Sequence, residues 1–273
     1  MAISFDAAST STQGSDTNTW NHVLGAGSDR KVIVGCHAED GSDSDTVVAS
    51  VTYNAVAMTK IDGSEIVHRP AGSSNRTTMF YMDEASLPAA GTHEIIVTFE
   101  SGTASSWGGA VSLFGAASGA PEVDETGTST QTGITTTITT LTANALLVDC
   151  VGYGNSTGAP VVDETGQVLR VELAGANIDA LMSTRPIVSA GATQMSYKSG
   201  GGARIAHAIL SIAPSATNLV ALGFATGGEE GAALRTALIA SGEAPAGTMA
   251  MLGSFNASGA RGLGNGRKEA LGL

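Results

Sequence analysis

Residues 47–53, Val-Val-Ala-Ser-Val-Thr-Tyr, form the stretch that best reveals the fold of this chain. Apolar residues occupy every second position, and Ser and Thr alternate with them toward the end of the run. This period of two is typical of a β-strand with one buried face and one solvent-facing side. Strands of this kind belong to antiparallel sheets, because such sheets can leave one face in water.

The same alternation recurs at 94–99 and 169–173, and further strand-like runs lie between turns rich in Gly, Ser, Thr and Asp. These runs are 3–7, 20–24, 31–36, 56–61, 77–82, 110–114, 134–141, 146–153, 181–184, 193–197 and 206–213. No amphipathic helix separates them. Because two sheets can hide their apolar faces against each other, the pattern predicts an all-β, antiparallel β-sandwich.

Charge and composition indicate an ordered protein and argue against nucleic-acid binding. Only 14% of the 273 residues are charged and 42% are hydrophobic, which is typical of an ordered protein. Residues 1–214 contain 9 Lys/Arg and 21 Asp/Glu, so they carry the whole net charge of −12. An acidic domain does not suit a nucleic-acid backbone, and no nucleic-acid partner is expected.

Neither a signal peptide nor a membrane span is expected from the sequence. The N-terminus lacks a basic segment followed by an apolar stretch, which argues against a signal peptide. The most apolar region, 205–224, is interrupted by Pro214 and Asn218, so no membrane span is expected.

The composition of the chain changes near Pro214, which predicts a β-sandwich domain over 1–214 and a Gly/Ala-rich arm over 215–273. The window 229–240 is the best helix candidate, with Leu234 and Leu238 on one face and acidic residues at its start. A three-turn helix is marginal alone and needs a surface to pack on. Five residues of the arm are predicted to contact other subunits or a shell: Leu234, Leu238, Ile239, Phe255 and Arg261.

Residues 32–36, Val-Ile-Val-Gly-Cys, resemble residues 146–150, Leu-Leu-Val-Asp-Cys, and a polar loop follows each. This similarity has three interpretations. It marks two halves of one sandwich, two stacked small domains that divide near 117–132, or a coincidence between Val-rich strands. The sequence favours a single domain.

The densest acidic cluster is Glu39, Asp40, Asp43 and Asp45, and its carboxylates are the oxygen ligands that calcium prefers. Its spacing does not match the twelve-residue calcium loop, and a solvated turn is the favoured interpretation. The histidines lie at 22, 37, 68, 93 and 207, none at metal-ligand spacing from another. No metal or cofactor is therefore predicted.

Cys36 and Cys150 are the only cysteines, and each lies in an apolar strand run. Buried free thiols are favoured over a disulfide.

The sequence contains no complete catalytic pattern. The letters Gly-x-Ser-x-Gly occur at 154–158, but no amphipathic helix follows them, as it would after the Ser of a nucleophile elbow, and there is no Gly-Lys-Ser/Thr phosphate loop. The carboxylate pairs at 83–84, 124–125 and 163–164 are adjacent in sequence, so in strands their side chains point to opposite faces. An enzyme is not expected. Trp20 and Trp107, with the tyrosines, raise the alternative of a sugar-stacking surface, although so few aromatic residues more often fill a core.

Three motifs stand out in the first half of the chain: Trp20-Asn21-His22, the turn Gly27-Ser28-Asp29-Arg30 before the Val-rich strand 31–35, and the hairpin 51–59, Val-Thr-Tyr-Asn-Ala-Val-Ala-Met-Thr. They resemble motifs of β-sandwich, jelly-roll-like virion structural proteins of tailed bacteriophages. Asn54-Ala55 replaces the usual Gly-Gly. Phe80-Tyr81 and the segment 206–213 extend the resemblance over about residues 1–214.

The resemblance implies a capsid decoration, head-fibre or tail accessory protein on the exterior of the phage particle. The implied partners are capsid or tail subunits and further copies of the same chain. The resemblance brings no catalytic residues. The alternative is a tail-associated or carbohydrate-binding module that contacts glycans on the host surface.

Overall fold

The computed structural model describes residues 2–40, 42, 46–69, 73–100, 102–103, 105–154, 160–175, 178–199 and 204–216. The chain divides into two units after Ser215. The description below concerns the described residues of the first unit, which are almost entirely antiparallel β-strands. The predicted all-β sandwich is therefore confirmed.

The first half of the unit contains ten strands and one 3₁₀ turn, Asp62–Ser64. The strands are β1 (Ser4–Thr10), β2 (Thr17–Leu24), β3 (Lys31–Asp40), β4 (Val48–Tyr53), β5 (Val56–Ala57), β6 (Thr59–Lys60), β7 (Ile66–His68), β8 (Ser74–Asp83), β9 (Gly91–Phe99) and β10 (Ser105–Phe114). Sheet 1 has the order β2-β9-β4-β5, and sheet 2 has the order β1-β10-β3-β8-β6, with β7 also paired to β8.

The second half contains eight strands. They are β11 (Val123–Ser129), β12 (Gly133–Thr140), β13 (Leu146–Gly154), β14 (Val161–Val162), β15 (Val168–Ala174), β16 (Ile178–Pro186), β17 (Gly191–Lys198) and β18 (Arg204–Ile212). Sheet 3 has the order β11-β18-β13-β16-β15, and sheet 4 has the order β12-β17-β14.

The two halves have the same topology. The order β1-β10-β3-β8 in sheet 2 corresponds to β11-β18-β13-β16 in sheet 3, and β2-β9-β4 corresponds to β12-β17-β14. Strands from the start and the end of each half alternate within each sheet, which is the arrangement of a jelly roll. The unit is therefore a tandem of two jelly rolls.

The sheets stack in the order 1, 2, 3, 4, with an apolar core between each neighbouring pair. Val34 and Val97 belong to the core between sheets 1 and 2, Met79 and Leu210 to the core between sheets 2 and 3, and further apolar residues fill the space between sheets 3 and 4. Sheets 2 and 3 are thus covered on both faces. This explains why the side chains of β3 and β13 are buried on both faces, whereas buried and exposed side chains alternate along β2 and β12 in the outer sheets.

The similarity between 32–36 and 146–150 now has a structural meaning, because β3 and β13 are equivalent central strands. Their side chains are nevertheless out of phase. Cys36 faces the core between sheets 1 and 2, and Cys150 faces the core between sheets 2 and 3. A shift of one residue reverses the face of a strand side chain, so the alignment that matches the cysteines differs from the structural one by an odd number of residues.

The hairpin between β4 and β5 turns through Asn54 and Ala55, and both have positive φ, 50° and 62°. A two-residue turn of this kind needs the left-handed conformation at both positions, which is why Gly is common there. The turn forms with Asn and Ala instead.

Most of the predicted strands exist, and the differences are at the boundaries. The predicted run 56–61 is two short strands, β5 and β6. Three strands, β7, β11 and β14, were not predicted. Within the described residues, no helix is long and apolar enough to cross a membrane.

Candidate functional site

The contact between the two jelly rolls is unusually close at several glycines. A Cβ added to Gly152 on β13 would lie 2.0 Å from Nδ1 of His37 on β3. A Cβ added to Gly35 on β3 would lie 2.7 Å from Sγ of Cys150. Side chains of each central sheet therefore occupy space that only glycine leaves open on the other sheet.

Hydrogen bonds cross the same contact from sheet 2 to sheet 3. Oγ1 of Thr77 donates to the carbonyl of Ala206 at 3.0 Å, and Nδ2 of Asn75 donates to the carbonyl of Gly152 at 3.2 Å. Nδ1 of His68 bonds to a third carbonyl, that of Ile205, at 3.1 Å. These bonds give the apolar contact a fixed register, because each buried carbonyl requires its donor.

Lys31 fixes the segment that connects the jelly rolls. Its ammonium is almost fully buried and bonds to the carboxylate of Asp83 and, at 2.7 Å, to the carbonyl of Gly119. The other oxygen of Asp83 accepts the amide N–H of Gly119 at 2.7 Å. Burial lowers the pKa of Lys31, opposed by its hydrogen bond to Asp83. The ion pair between Lys31 and Asp83 thus binds both the carbonyl and the N–H of Gly119, which lies in the segment between the jelly rolls.

The second jelly roll encloses a polar network around Asp149, which is fully buried between sheets 3 and 4. Oδ1 accepts hydrogen bonds from the backbone N–H of Ser183 at 2.7 Å, its hydroxyl at 2.9 Å and the Tyr197 hydroxyl at 2.9 Å. Oδ2 lies 3.3 Å from Nε2 of Gln167 and 3.2 Å from Nε2 of His207. Burial, followed by the charge of Asp149, raises the pKa of Tyr197.

The other ring nitrogen of His207 lies 3.0 Å from Oγ1 of Thr136. The order carboxylate, imidazole, hydroxyl is the order found in nucleophilic sites. Here Asp149 and His207 are fully buried and Thr136 is 6% exposed. Gly127 lies against the hydroxyl, since an added Cβ there would be 2.6 Å from Oγ1. The network joins strands of sheets 3 and 4, and it suits cross-linking of the sheets rather than reaction with a substrate.

Two buried histidines outside this network titrate unusually. Burial lowers the pKa of His22 from 6.5 to about 4, opposed by the charge of Asp6. Burial also lowers the pKa of His37 to about 4, opposed by the carbonyl of Arg76, which Nδ1 contacts at 3.0 Å. Both rings are held neutral near pH 7.

The acidic cluster predicted from the sequence is only partly described. Glu39 forms an ion pair with Arg204 across the contact between the jelly rolls. Asp43 and Asp45 lie outside the described residues. Among the residues that the structure describes, no group of three or more His, Cys, Asp or Glu is placed to hold a metal ion.

In two of the three adjacent carboxylate pairs, 83–84 and 163–164, the two carboxylates have separate partners. Asp83 binds Lys31, whereas Glu84 binds Arg30. Asp163 binds Lys198. Glu164 accepts from Nε2 of Gln194 at 2.6 Å and lies 3.4 Å from Arg185.

Cys36 and Cys150 are free and buried, as predicted. Burial raises the pKa of both thiols. Trp107 and Trp20 are buried too, with their indole N–H groups bonded to Thr10 and Ser9. The tryptophans therefore fill the core rather than form a surface for sugars.

The predicted contact residues Leu234, Leu238, Ile239, Phe255 and Arg261 lie outside the described residues, as does the predicted helix 229–240.

Sequence reasoning missed the Asp149 network. Its signal was present, because Asp149 is a single carboxylate within the apolar run 146–153, and an unpaired buried charge is costly. The run therefore required donors from distant strands. Which donors these are follows only from the pairing of β13 with β16 and β18.

No family model and no curated protein matches the chain. One solved structure, described as the crystal structure of the STIV MCP, is 8% identical in sequence, with a TM-score of 0.30. The match covers 78% of this chain and 96% of that chain. A similarity at this level identifies neither a family nor an activity.

Proposed function

We propose that this protein is a structural component of a bacteriophage particle, a capsid decoration or head-fibre protein on the exterior of the virion. Residues 215–273 anchor it to capsid subunits or to further copies of the chain. No reaction and no cofactor is part of this role.

The observation that carries the proposal is the locked contact between the two jelly rolls. Gly152 and Gly35 receive side chains from the opposite sheet, and Lys31 holds the connecting segment. Such a contact suppresses motion between the two halves, because interdigitated cores are not continuously deformable. Rigidity of this kind suits a protein that must keep its shape on a particle surface.

The fold and the sequence resemblance support the same role. Jelly rolls occur in viral capsid proteins and in lectins, so the fold alone leaves both classes open. The sequence motifs of residues 1–214 resemble those of tailed-phage virion proteins. Both tryptophans and three of the four tyrosines are buried, which speaks against the glycan-binding alternative.

Charge supports the assignment of display and anchor to different parts of the chain. Residues 1–214 carry the net charge of −12, and residues 215–273 contain 4 Lys/Arg and 4 Asp/Glu. A strongly acidic unit keeps copies soluble and apart. A neutral segment can approach a neighbouring subunit without that repulsion.

The test is the copy number of the protein on purified particles, measured by quantitative mass spectrometry with capsids and tails separated. We expect the full chain on capsids, and a loss of at least tenfold when residues 217–273 are deleted. Leu234→Asp combined with Leu238→Asp should give a similar loss in the full chain, and Arg235→Ala serves as the matched control.

Three outcomes contradict the proposal, each in a different part. Full occupancy after the deletion removes the anchoring role of the arm. Absence of the full chain from both capsids and tails removes the virion role itself. Recovery on tails alone selects the tail-accessory alternative.

A further inference from the structure

Two edge strands, β2 and β12, lack the features that normally prevent edge-to-edge association, and β12 is the one whose neighbouring strand places no charged residue opposite its centre. Edge strands are usually very short, bulged, charged or interrupted by proline. In the part of the chain that the structure describes, β5, β6, β7 and β14 have two or three residues, β1 and β15 have register shifts, and β11 carries two carboxylates. β12 is eight residues long, regular along its whole pairing with β17, and has neither charge nor proline.

β12 also lies in an extended uncharged segment. Residues 126–148 contain no Asp, Glu, Lys, Arg or His, although the unit around them is strongly acidic. Two acidic copies repel each other over most of their surfaces. An edge without charge is where like-charged copies can approach.

The unpaired backbone groups of β12 can be assigned from its neighbour β17. The backbone N–H and carbonyl of Ser196 both point away from β12. The N–H donates to Oε1 of Gln167 at 3.0 Å, and the carbonyl accepts from the backbone N–H of Asp163 at 2.9 Å. Thr135 is opposite Ser196 and therefore directs its own N–H and carbonyl away from β17. The same holds at alternate residues, Thr137 and Thr139. These groups have no backbone partner among the described residues.

We propose that β12 pairs antiparallel with β12 of a second copy, about a two-fold axis at Thr137. Thr137 then lies opposite Thr137 of the second copy, and Thr135 lies opposite Thr139. These are the residues whose N–H and carbonyl groups point outward, so the pairing forms about six backbone hydrogen bonds. Sheet 4 of each copy becomes half of one continuous sheet of six strands.

The side chains suit this pairing. Thr135, Thr137 and Thr139 all lie on the exposed face of β12, and Thr–Thr pairs across antiparallel strands are favourable. The charged residues beside Thr137 on this face, Glu164 and Arg185, lie 3.4 Å apart and neutralise each other. A self-pairing strand needs no complementary partner sequence, which fits a symmetric dimer.

β2 is the matched control, because it has the equivalent position in the first jelly roll. Glu94 on β9 lies opposite Asn21 on β2. The backbone carbonyl of Glu94 accepts a hydrogen bond from the backbone N–H of Asn54, so it points away from β2. Asn21 therefore also directs its backbone groups to a free edge. Glu94 is exposed beside the centre of this edge, so a second copy would bring two carboxylates together there.

The first experiment measures the mass of the full chain by sedimentation equilibrium. We expect a dimer, and at least a tenfold weaker dimer for Thr137→Pro. The N–H of residue 137 has no partner in the ladder, so proline should leave the fold intact. Thr137→Lys should weaken the dimer through like charges at the axis. Asn21→Pro and Asn21→Lys should leave it unchanged.

A cysteine cross-link distinguishes this edge from contacts made elsewhere in the chain. The hydrogen-bonded pair at the axis brings two Cα atoms to about 5.5 Å, a separation that a disulfide can span. Thr137→Cys should therefore give a covalent dimer under mild oxidation, and Asn21→Cys should not. The native thiols are buried, so they add little background.

A monomeric full chain overturns the proposal. So does a dimer that is unaffected by Thr137→Lys and gives no cross-link with Thr137→Cys, because that dimer uses another surface. If Thr137→Pro does not fold, the Lys and Cys variants decide.

Discussion

In the centre of the second jelly roll, Nε2 of His207 lies 3.2 Å from Oδ2 of Asp149, and neither side chain is exposed to solvent. The two residues come from neighbouring strands, β13 and β18. Asp149 also accepts from Ser183 and Tyr197, so one carboxylate connects residues from four strands of sheets 3 and 4. The network is a stabilising centre of this jelly roll.

We expect Asp149→Leu to lower the free energy of unfolding by about 3 kcal/mol, because several buried donors lose their acceptor. The measurement is urea unfolding followed by circular dichroism. Asp163→Leu is the control, since its ion pair with Lys198 is exposed and should contribute less than about 1 kcal/mol. Equal effects of the two substitutions would contradict the role of the network.

Stability should fall in mild acid because of His22 and His37. Their pKa values are lowered from 6.5 to about 4 in the folded protein, so the unfolded chain binds more protons between these values. The free energy of unfolding should therefore decrease as the pH falls from 6.5 toward 4. Each histidine should contribute up to about 1.4 kcal/mol per pH unit.

The variant that tests this dependence is His37→Asn, compared with the parent at pH 7 and pH 5. We expect a smaller loss of stability between the two pH values in the variant. His93→Asn, on the surface, is the control. An unchanged pH dependence in His37→Asn would show that this histidine does not contribute.

The contact between the jelly rolls should be sensitive to one methyl group at Gly152. Gly152→Ala places a Cβ where Nδ1 of His37 lies, and overpacking of this kind costs about 1–3 kcal/mol. Combining it with His37→Ala restores the space, so the double variant should lose less stability than the sum of the single variants. Strict additivity would mean that the two residues do not contact each other.

The β4–β5 hairpin offers a stabilising substitution. Ala55 has a φ of 62°, a conformation that Gly adopts more readily. We expect Ala55→Gly to raise the free energy of unfolding by about 1 kcal/mol. Ala57→Gly, in the adjacent extended strand, should lower it. A loss of stability in Ala55→Gly would contradict the expected strain.

Lys31→Met should loosen the segment between the jelly rolls, because the carbonyl of Gly119 loses its donor. Hydrogen exchange at the amides of residues 117–120 should become at least tenfold faster, while the strand amides of sheet 2 change less. Lys198→Met is the control, since that lysine is largely exposed. Unchanged exchange in Lys31→Met would exclude this role.

The sequence by itself determined the strands and the fold class. The alternation of apolar and polar residues at 47–53, 94–99 and 169–173 and the largely apolar runs in β3 and β13 are local signals, because successive side chains of a strand point to opposite faces. β11 was missed, because its seven residues, Val-Asp-Glu-Thr-Gly-Thr-Ser, include only one large apolar side chain. It is an edge strand of sheet 3. Its pairing with β18 makes it a strand.

Only the tertiary structure decided how the strands combine. The sequence could indicate that 32–36 and 146–150 are related, but not that sheets 2 and 3 pack face to face with Cys36 and Cys150 in different cores. It could place Asp149 in an apolar run, but not bring His207 to it. Residues 149 and 207 are 58 positions apart, and residues this distant meet only when the strands between them pair.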